Sequence, residues 1–228
     1  MSILSIKDVY YRYEGSTQDI LKKINIQFDN GRIYGIIGKS GSGKSTLLSL
    51  LSGLDLCTSG EIQYLGNNMS TLDRDKYRCK NIGVVFQSYN LLTNATVLDN
   101  ILLSMNISGV DVRDKKEYAY QLLNSVGITN EQANRKVLRL SGGEQQRVGI
   151  ARALSHDPDV IIADEPTGNL DPETEASIME ILMKLAHKED KCVIIVTHSK
   201  SVAKYVDELY ALANGKLLFV RSGTDNRT

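Results

Sequence analysis

The amino-acid sequence predicts an α/β fold with a mostly parallel sheet, an N-terminal antiparallel β subdomain and an inserted α-helical subdomain. Near the N-terminus, apolar and polar residues alternate as they do in antiparallel strands that have one face on a core. The middle of the chain has the spacing of amphipathic helices and little strand signal. Elsewhere, short apolar runs alternate with helical segments, which indicates parallel strands joined by helices.

The N-terminal part, residues 3–37, is predicted to form short strands that are mostly antiparallel. Ile24, Ile26 and Phe28 recur at every second position, which is the period of a strand. A glycine-rich loop follows, and the closely spaced leucines of residues 45–52 predict a helix after that loop. This first part of the chain therefore ends in a strand, a loop and a helix.

The stretch 97–154 is predicted to form a helical lobe. After it, two apolar runs at residues 160–163 and 193–196 have the length of buried strands. The segment between these runs has apolar residues at the spacing i, i+3, i+4, i+7, which predicts a helix that joins two parallel strands. These apolar residues are Ile178, Ile181, Leu182 and Leu185.

The predicted organisation is a single domain over residues 1–228. Its core and β subdomain are assigned to residues of about 1–95 and 156–220, and the helical subdomain to about 96–155. Residues 221–228 are polar without a period and are expected to form a flexible tail. The sequence contains no internal repeat.

Composition is typical of an ordinary globular protein. The 228 residues are 42% hydrophobic and 24% charged, and a chain of this length needs neither disulfides nor a structural metal to hold a core. Cys57, Cys79 and Cys192 are scattered and form no C-x-x-C pair, which suits free thiols in a reducing compartment. We therefore expect a cytoplasmic protein.

Charge and hydropathy exclude two classes of function. Basic and acidic residues balance at 27 each, so the chain lacks the positive charge of a dedicated nucleic-acid-binding protein, and no nucleic-acid partner is expected. The longest apolar runs are far shorter than the roughly 18 residues of a membrane span. Lys7, Asp8 and Arg12 interrupt the region where an export signal would be apolar, so no such signal is expected.

Residues 38–45 match the pattern G-x-x-x-x-G-K-[ST] of a loop that binds phosphate groups. In such a loop the backbone N–H groups surround phosphate oxygens, the lysine neutralises their charge and the last hydroxyl binds Mg²⁺. The pattern could arise by chance as a flexible turn in about one chain in a hundred. Its position between a buried strand and a leucine-rich helix favours the phosphate site, because the helix N-terminus attracts anions.

Asp164 and Glu165 follow the apolar run 160–163. Carboxylates at the C-terminal edge of a buried strand lie where open α/β sheets bind ligands, so Asp164 suits a Mg²⁺ site and Glu165 suits a general base. Two acids before Pro166 are by themselves also a common start of a loop. The phosphate loop makes the functional interpretation the better one.

The segment 140–147, LSGGEQQR, opens a helix and has two interpretations. Ser141 and Glu144 fit the capping box S-x-x-E, which needs no function to explain it. Gly142 and Gly143 in the first turn each cost about 1 kcal/mol relative to Ala, so they indicate that the backbone approaches a phosphate group.

These motifs together, with Thr197–His198 after the second strand, resemble the ATP-binding subunit of an ABC transporter, and the resemblance covers nearly the whole chain. It implies a P-loop NTPase core, ATP hydrolysis, and ATP and Mg²⁺ as cofactors. It assigns Glu165, His198, Lys44 and Gln87 to catalysis and Ser45, Gln87 and Asp164 to the metal. It places ATP against Tyr13, Gly38, Ser40, Gly41, Gly43, Lys44, Ser45 and Thr46.

Two of these assignments stay open on the residues alone. Tyr13 resembles the aromatic residue that stacks on adenine, but Tyr10 and Tyr11 are close enough in sequence to take that role, and a strand tyrosine is more often packed in a core. His198 resembles the histidine that contacts the γ-phosphate, whereas a lone histidine at a strand end is usually structural.

The resemblance also implies a homodimer. Ser141, Gly142 and Gly143 would contact the ATP held by the other copy's phosphate loop, and two such sites close when two chains meet head to tail about a two-fold axis. The segment 169–171 resembles the loop in which Asp171 supports the neighbouring site, although Asp171 before Pro172 is equally an ordinary helix cap.

A separate transmembrane permease subunit is the other expected partner, docked near residues 87–96 and holding the chain at the cytoplasmic face of the cell membrane. Segments 86–92 and 163–171 are most similar to the subgroup that serves macrolide efflux, lipoprotein release, bacitracin-type peptide resistance and cell division. Thr93 and Ser199 depart from this subgroup, which often has proline and aspartate there. Cargo, permease identity, transport direction and the tightness of dimerisation are not readable from these residues.

The alternative hypothesis is a soluble ABC-type ATPase that acts on DNA or ribosomes. Such proteins usually carry a long coiled coil or a second cassette, and this sequence has neither heptads nor a second phosphate loop. A GTPase is a third possibility, but the sequence contains no N-K-x-D-like guanine motif.

Overall fold

The computed structural model describes residues 2–168 and 170–222, and every structural statement concerns these residues. Their ten strands form two sheets. The strands, in chain order, are β1 (Leu4–Tyr11), β2 (Leu21–Phe28), β3 (Ile33–Ile37), β4 (Ser59–Tyr64), β5 (Asn67–Asn68), β6 (Ile82–Val85), β7 (Val160–Asp164), β8 (Cys192–Thr197), β9 (Glu208–Ala213) and β10 (Lys216–Ser222).

The described residues also contain seven α-helices. Short 3-10 turns cover Val137–Arg139 and Lys200–Tyr205. The helices, in chain order, are α1 (Lys44–Leu51), α2 (Arg74–Lys80), α3 (Val97–Ile107), α4 (Lys115–Ser125), α5 (Asn130–Ala133), α6 (Gly142–Leu154) and α7 (Pro172–His187). In this part of the chain no helix is both long enough and apolar enough to span a bilayer.

The smaller sheet is antiparallel and has the order β2-β1-β4-β5. Its inner face follows the alternation of the sequence, since Ile24, Ile26 and Phe28 of β2 are buried and the residues between them are exposed. These side chains pack into the same core as Leu47 and Leu50 of α1. The antiparallel sheet therefore packs next to the helix that follows the phosphate loop.

The larger sheet has the order β10-β9-β3-β8-β7-β6, and all of its neighbouring pairs are parallel except β9 with β10. The central strand β8 is buried along its whole length, as a continuous apolar run in a covered parallel sheet should be. Ile37 pairs with Thr197, and Asp164 pairs with Val196. The carboxyl ends of β3, β8 and β7 therefore lie level at one edge of the sheet.

The helices α3 to α6 follow β6 and precede β7 in the sequence, and they pack against one another. Met105 of α3, Leu123 of α4 and Val148 of α6 are fully buried in their common core. Arg147 of α6 links this group to α7, because its guanidinium donates to the carbonyl oxygen of Val126 at 3.0 Å and to the hydroxyl of Ser177 at 2.7 Å. The helical layer is thus joined to the rest of the molecule by polar as well as apolar contacts.

The predicted fold class is confirmed: a mostly parallel α/β core carries an N-terminal antiparallel β part and an inserted helical part. The sequence analysis missed β9 and β10. The predicted tail included Arg221 and Ser222, but both residues belong to β10 and pair with β9. The rest of that predicted tail, residues 223–228, lies outside the described residues.

Candidate active site

The level strand ends of the parallel sheet bring three predicted motifs together. Gly38 follows β3, Glu165 follows β7 and His198 follows β8. The N–H of Gly38 donates to the carbonyl oxygen of Thr197 at 3.3 Å. The N–H of Glu165 donates to the carbonyl oxygen of Val196 at 2.8 Å. The phosphate loop, the acidic pair and the histidine therefore share one edge of the sheet.

The phosphate loop curls around the ammonium group of Lys44. Its Nζ donates to the carbonyl oxygens of Gly38, at 2.8 Å, and of Lys39, at 3.2 Å. Gly41 and Gly43 have φ angles of 76° and 101°, in the left-handed region that favours glycine. Any residue with a side chain would be strained at these two positions, so the backbone of the loop requires glycine at both.

The tightest position in the loop is Gly38. A Cβ there would lie 2.5 Å from Ser42 Oγ and 2.7 Å from the carbonyl oxygen of Leu212, closer than real atoms approach. Ser42 Oγ is buried and has no hydrogen-bond partner among the described residues. A hydroxyl donor without a partner inside a glycine loop at a helix N-terminus fits a phosphate group as its ligand.

Two oxygen ligands suited to Mg²⁺ lie at this edge. Ser45 presents an exposed hydroxyl in the first turn of α1, and Asp164 ends β7. Burial raises the pKa of Asp164 and the charge of Glu165 raises it further, whereas the Lys44 ammonium lowers it; the net change is upward. Mg²⁺ typically binds one or two such protein oxygens together with substrate phosphates, so this donor set fits the ion.

Gln87, also predicted to bind the metal, is exposed two residues after β6. Its amide Nε2 lies 3.4 Å from the place where a Cβ on Gly168 would sit. Gly168 in turn donates its N–H to the carbonyl oxygen of Glu165 at 3.2 Å. Gln87 is thus brought next to the loop that follows the acidic pair.

The carboxylate of Glu165 is held by hydrogen bonds from the end of β8. Its Oε2 accepts from the Thr197 hydroxyl at 2.6 Å, and its Oε1 accepts from the His198 N–H at 2.9 Å and from His198 Nδ1 at 2.8 Å. Burial raises the pKa of Glu165, but the hydrogen bonds from Thr197 and His198 outweigh it, so the pKa lies below its ordinary value. The carboxylate is therefore ionised at neutral pH.

Glu165 also has an unusual backbone. Its φ angle is 47°, which is uncommon for a residue with a side chain, and such strain is maintained where the surroundings fix it. Only 10% of its side chain is exposed, compared with 63% of that of His198. The acid is thus enclosed by its partners, while the imidazole is open on one side.

The three candidate tyrosines have different surroundings. Tyr11 is buried, and its hydroxyl donates to Asp55. Tyr13 is 53% exposed, packs its ring against Tyr11 with centroids 5.2 Å apart, and shares a 3.0 Å hydrogen bond with the Thr46 hydroxyl in α1. Tyr10 is partly buried within β1. Of the three, Tyr13 has the exposed ring that lies next to the phosphate loop.

The Ser141 turn does not lie on the phosphate loop of its own chain. Ser141 and Glu144 form the capping box at the start of α6. The atoms nearest to a Cβ on Gly142 belong to Tyr89 and Leu170, and a Cβ on Gly143 would lie 2.5 Å from Thr174 Cγ2. Packing within the chain therefore requires small residues here, so the sequence argument that assigned both glycines to a phosphate alone was incomplete.

Asp171 caps α7. Its carboxylate accepts from the N–H groups of Glu173 and Thr174, at 3.1 and 3.0 Å, and from the Thr174 hydroxyl at 2.6 Å. The Thr174 hydrogen bonds lower the pKa of Asp171. The helix-cap interpretation of Asp171 is confirmed, whereas its role toward a second subunit stays a prediction. Asn169, in the same predicted loop, lies outside the described residues.

Ser40 and Gly41 are exposed at the tip of the phosphate loop. The sequence analysis missed the Thr197 hydroxyl as a partner of Glu165, although it singled out the Thr197–His198 pair. It named Ser199 only as a departure from the subgroup, and it missed Ser201 and Glu175; all three continue this network. Their contacts join strands and helices that are distant in sequence, so no local motif marks them.

Comparisons with known proteins agree with this geometry. The family model described as ABC transporter matches residues 21–168. The uncharacterized ABC transporter ATP-binding protein YclH of Bacillus subtilis (strain 168) is 46% identical over 215 residues, 94% of this chain and 95% of YclH. A lipoprotein-releasing system ATP-binding protein LolD, of Wigglesworthia glossinidia brevipalpis, is 41% identical over 222 residues, 95% of this chain and 96% of LolD.

Solved structures show the same fold. The dimeric bacterial ABC transporter cassette MJ0796 has a TM-score of 0.85 and 35% identity, and the match covers 96% of this chain and 99% of that one. A second structure of MJ0796, in a post-hydrolysis state with ADP and Pi, has the same TM-score at 34% identity and the same coverage. The chain therefore belongs to the ABC transporter family and is an ATP-binding, ATP-hydrolysing domain of that family.

Proposed function

We propose that this domain hydrolyses Mg·ATP at the edge formed by β3, β7 and β8, and that it does so as a dimer that drives a separate membrane permease. The observation that carries the proposal is the Glu165 carboxylate, which is ionised and fixed by Thr197 and His198 beside the phosphate loop. A fixed carboxylate at this place is suited to accept a proton from an attacking water molecule.

The other site residues have complementary roles. Lys44 exchanges its bonds to the loop carbonyls for β- and γ-phosphate oxygens, and the N–H groups of the glycine loop bind the same phosphates. Ser45, Asp164 and Gln87 hold the metal. Bound Mg²⁺ would neutralise phosphate charge during the transfer.

His198 has two tasks in this proposal. Because a carboxylate can only accept, His198 Nδ1 donates its proton to Glu165. The other ring nitrogen can donate to a γ-phosphate oxygen when it carries a proton as well, and the exposure of the imidazole agrees with this contact. Tyr13 stacks on adenine, since its ring is exposed and its hydroxyl shares a hydrogen bond with Thr46 in the first turn of α1.

A second copy completes each site. Gly142 and Gly143 do not lie against the phosphate loop of their own chain, and Ser141 is exposed, so this turn could contact a nucleotide held by another subunit. The dimeric form of the related cassette MJ0796 supports this arrangement. ATP would thus bridge Ser141, Gly142 and Gly143 of one copy to the phosphate loop of its partner, with Asp171 next to the shared boundary.

The permease is proposed to dock on a groove beside residues 87–96. The groove has a volume of about 310 Å³, and Leu92, Leu103 and Ile107 line it with exposed apolar side chains. Arg152 lies at the same groove and donates to the carbonyl oxygen of Asn90. Much of the groove is lined by helices within residues 96–155. We propose that these residues form a helical subdomain, distinct from the core and β subdomain of residues 1–95 and 156–220.

Docking would hold the domain at the cytoplasmic face of the cell membrane. The relatives named LolD are lipoprotein-releasing system ATP-binding proteins, and they support a lipoprotein-like cargo and a system of the efflux or mechanotransmission type. A macrolide or an antimicrobial peptide is the alternative cargo for such a system. A methionine import ATP-binding protein, MetN 2 of Enterococcus faecalis (strain ATCC 700802 / V583), is 39% identical over 90% of this chain and 61% of MetN 2, so import is the competing direction.

The test is copurification of the tagged protein from detergent-solubilised membranes. Recovery of a multi-span protein that is lost when Leu103 and Ile107 are both changed to Ser supports the proposal, and the change of Leu138, an exposed leucine outside the groove, to Ser is the matched control. Recovery only with ribosomes or DNA would contradict the permease and favour a soluble ABC-type ATPase.

A further inference from the structure

A continuous run of hydrogen bonds connects Glu175, in the first turn of α7, to the carboxylate of Glu165. The Ser201 hydroxyl donates to Glu175 Oε1, and Ser199 Oγ lies 2.7 Å from Ser201 Oγ. The N–H of Ser199 donates to Thr197 Oγ1 at 3.0 Å, and the Thr197 hydroxyl donates to Glu165 Oε2 at 2.6 Å. Two carboxylates ten residues apart in sequence are thus joined by three hydroxyl-bearing residues.

The direction of every proton in this run is determined. Ser201 has one hydroxyl proton and gives it to Glu175, so the proton between the two serines must come from Ser199. Thr197 gives its proton to Glu165 and accepts the Ser199 N–H in return. Each of the three hydroxyl groups is therefore fixed rather than free to rotate.

The run holds the short loop that carries His198. Ser199 directly follows this histidine, and Ser201 lies in the 3-10 turn Lys200–Tyr205. Among the side-chain hydrogen bonds of the described residues, the link from this loop to α7 is the one that Ser201 makes to Glu175. A shift of α7 would therefore move the hydrogen-bond donors that hold Glu165.

We propose that Glu175, Ser201 and Ser199 are positioning residues for ATP hydrolysis. They keep the Thr197 hydroxyl and the His198 N–H directed at Glu165, so that the carboxylate has the correct orientation when ATP binds. The proposal rests on the proposed role of Glu165 as general base. It adds a connection from α7, which begins at the Asp171 cap, to the reacting edge of the sheet.

The test is steady-state ATP hydrolysis by the full chain. Ser201→Ala and Glu175→Ala should each lower kcat about three- to tenfold, the size expected for one lost hydrogen bond, while KM for ATP stays within about twofold. Glu175→Gln should restore most of kcat, because its amide oxygen can still accept the Ser201 proton.

Two controls make the result specific. Glu173→Ala removes an acidic side chain from the same helical turn, where acids favour the helix, and should leave kcat unchanged. The double variant Ser201→Ala/Glu175→Ala should be no slower than the slower single variant, since both changes break one connection. Thermal unfolding shows whether each variant is folded, and Ser199→Ala replaces Glu175→Ala if the latter is not.

Each outcome decides between named alternatives. Unchanged kcat in Ser201→Ala, or additive effects in the double variant, would overturn the positioning role while leaving the proposed function intact. A rise in KM with unchanged kcat would also overturn it. A wild-type chain without ATPase activity, or a Glu165→Gln variant as active as the wild type, would instead contradict the proposed function itself.

Discussion

His198 approaches Glu165 with two donors at once: its backbone N–H lies 2.9 Å from Glu165 Oε1, and its ring Nδ1 lies 2.8 Å from the same oxygen. A carboxylate oxygen that accepts from both the main chain and the side chain of one residue has little freedom to turn. The imidazole and the carboxylate therefore form one rigid unit at the edge of the sheet.

This rigid unit predicts the behaviour of Glu165→Gln. The amide keeps the size of the side chain and one acceptor oxygen for Thr197 or His198, but it cannot act as a base at neutral pH. We expect ATP to bind, hydrolysis to fall at least about a hundredfold, and a stable dimer to accumulate. Size-exclusion chromatography with Mg·ATP measures the dimer.

The control for that experiment is the double variant Glu165→Gln/Lys44→Ala. It removes the ammonium group that binds phosphate, so it should remain monomeric under the same conditions. A monomer for Glu165→Gln itself at saturating Mg·ATP would contradict the two-subunit site.

The exposed ring of Tyr13 predicts a separation between its ring and its hydroxyl. Tyr13→Ala should raise KM for ATP about tenfold by removing a stacking surface, whereas Tyr13→Phe keeps the ring and should change KM less than about twofold. Tyr11→Ala should instead lower the midpoint of thermal unfolding, because Tyr11 is buried against the Tyr13 ring and bonded to Asp55. Equal KM values for Tyr13→Ala and the wild type would exclude Tyr13 from the adenine site.

Gly143 gives a test that separates packing from nucleotide contact. Gly143→Ala places a methyl group 2.5 Å from Thr174 Cγ2, and we expect a loss of about 1–3 kcal/mol in the free energy of unfolding. Thr174→Ser removes that methyl group but keeps the hydroxyl that bonds to Asp171, so the double variant should recover most of the stability.

The ATPase activity of the double variant then decides the role of the glycine. Activity that stays low after stability has returned means that the backbone at 143 must approach something outside its own chain. Full recovery of both quantities would mean that Gly143 is required by Thr174 alone.

Glu144 predicts an acid-dependent part of the stability. The Ser141 N–H is the main cause that lowers the pKa of Glu144, so this carboxylate is more acidic in the folded chain than in the unfolded one. Its contribution is therefore complete above the unfolded pKa of about 4.3 and is lost as pH falls through the lower, folded pKa.

Glu144→Gln keeps a capping-box side chain but does not titrate. The wild type should be the more stable protein at neutral pH, by about 1 kcal/mol or less, and this difference should vanish at acid pH. Urea unfolding of both proteins at a series of pH values measures it; a difference that does not change with pH would show that the charge of Glu144 is not involved.

The features that could be predicted from the sequence are local ones. The phosphate loop and the β2 alternation at Ile24, Ile26 and Phe28 each lie within a few consecutive residues, so their geometry follows from short-range rules. β9 and β10 were missed although residues 217–220 form a short apolar run; neither strand has the regular alternation of a half-buried strand, and the apolar run of β10 is mostly exposed.

The contacts that could not be predicted depend on strand order and register. Thr197 reaches Glu165 because β8 lies beside β7 with Val196 opposite Asp164, a pairing that no local pattern specifies. The same holds for Thr174 beside Gly143, which gives the second glycine a reason that the motif alone did not reveal.

The hydrogen bonds from Lys44 to the carbonyl oxygens of Gly38 and Lys39 have a consequence for phosphate binding. These hydrogen bonds order the Lys44 side chain, so a phosphate oxygen that replaced a carbonyl as its partner would cost little further side-chain entropy. We therefore expect phosphate binding at this loop to lose little conformational entropy.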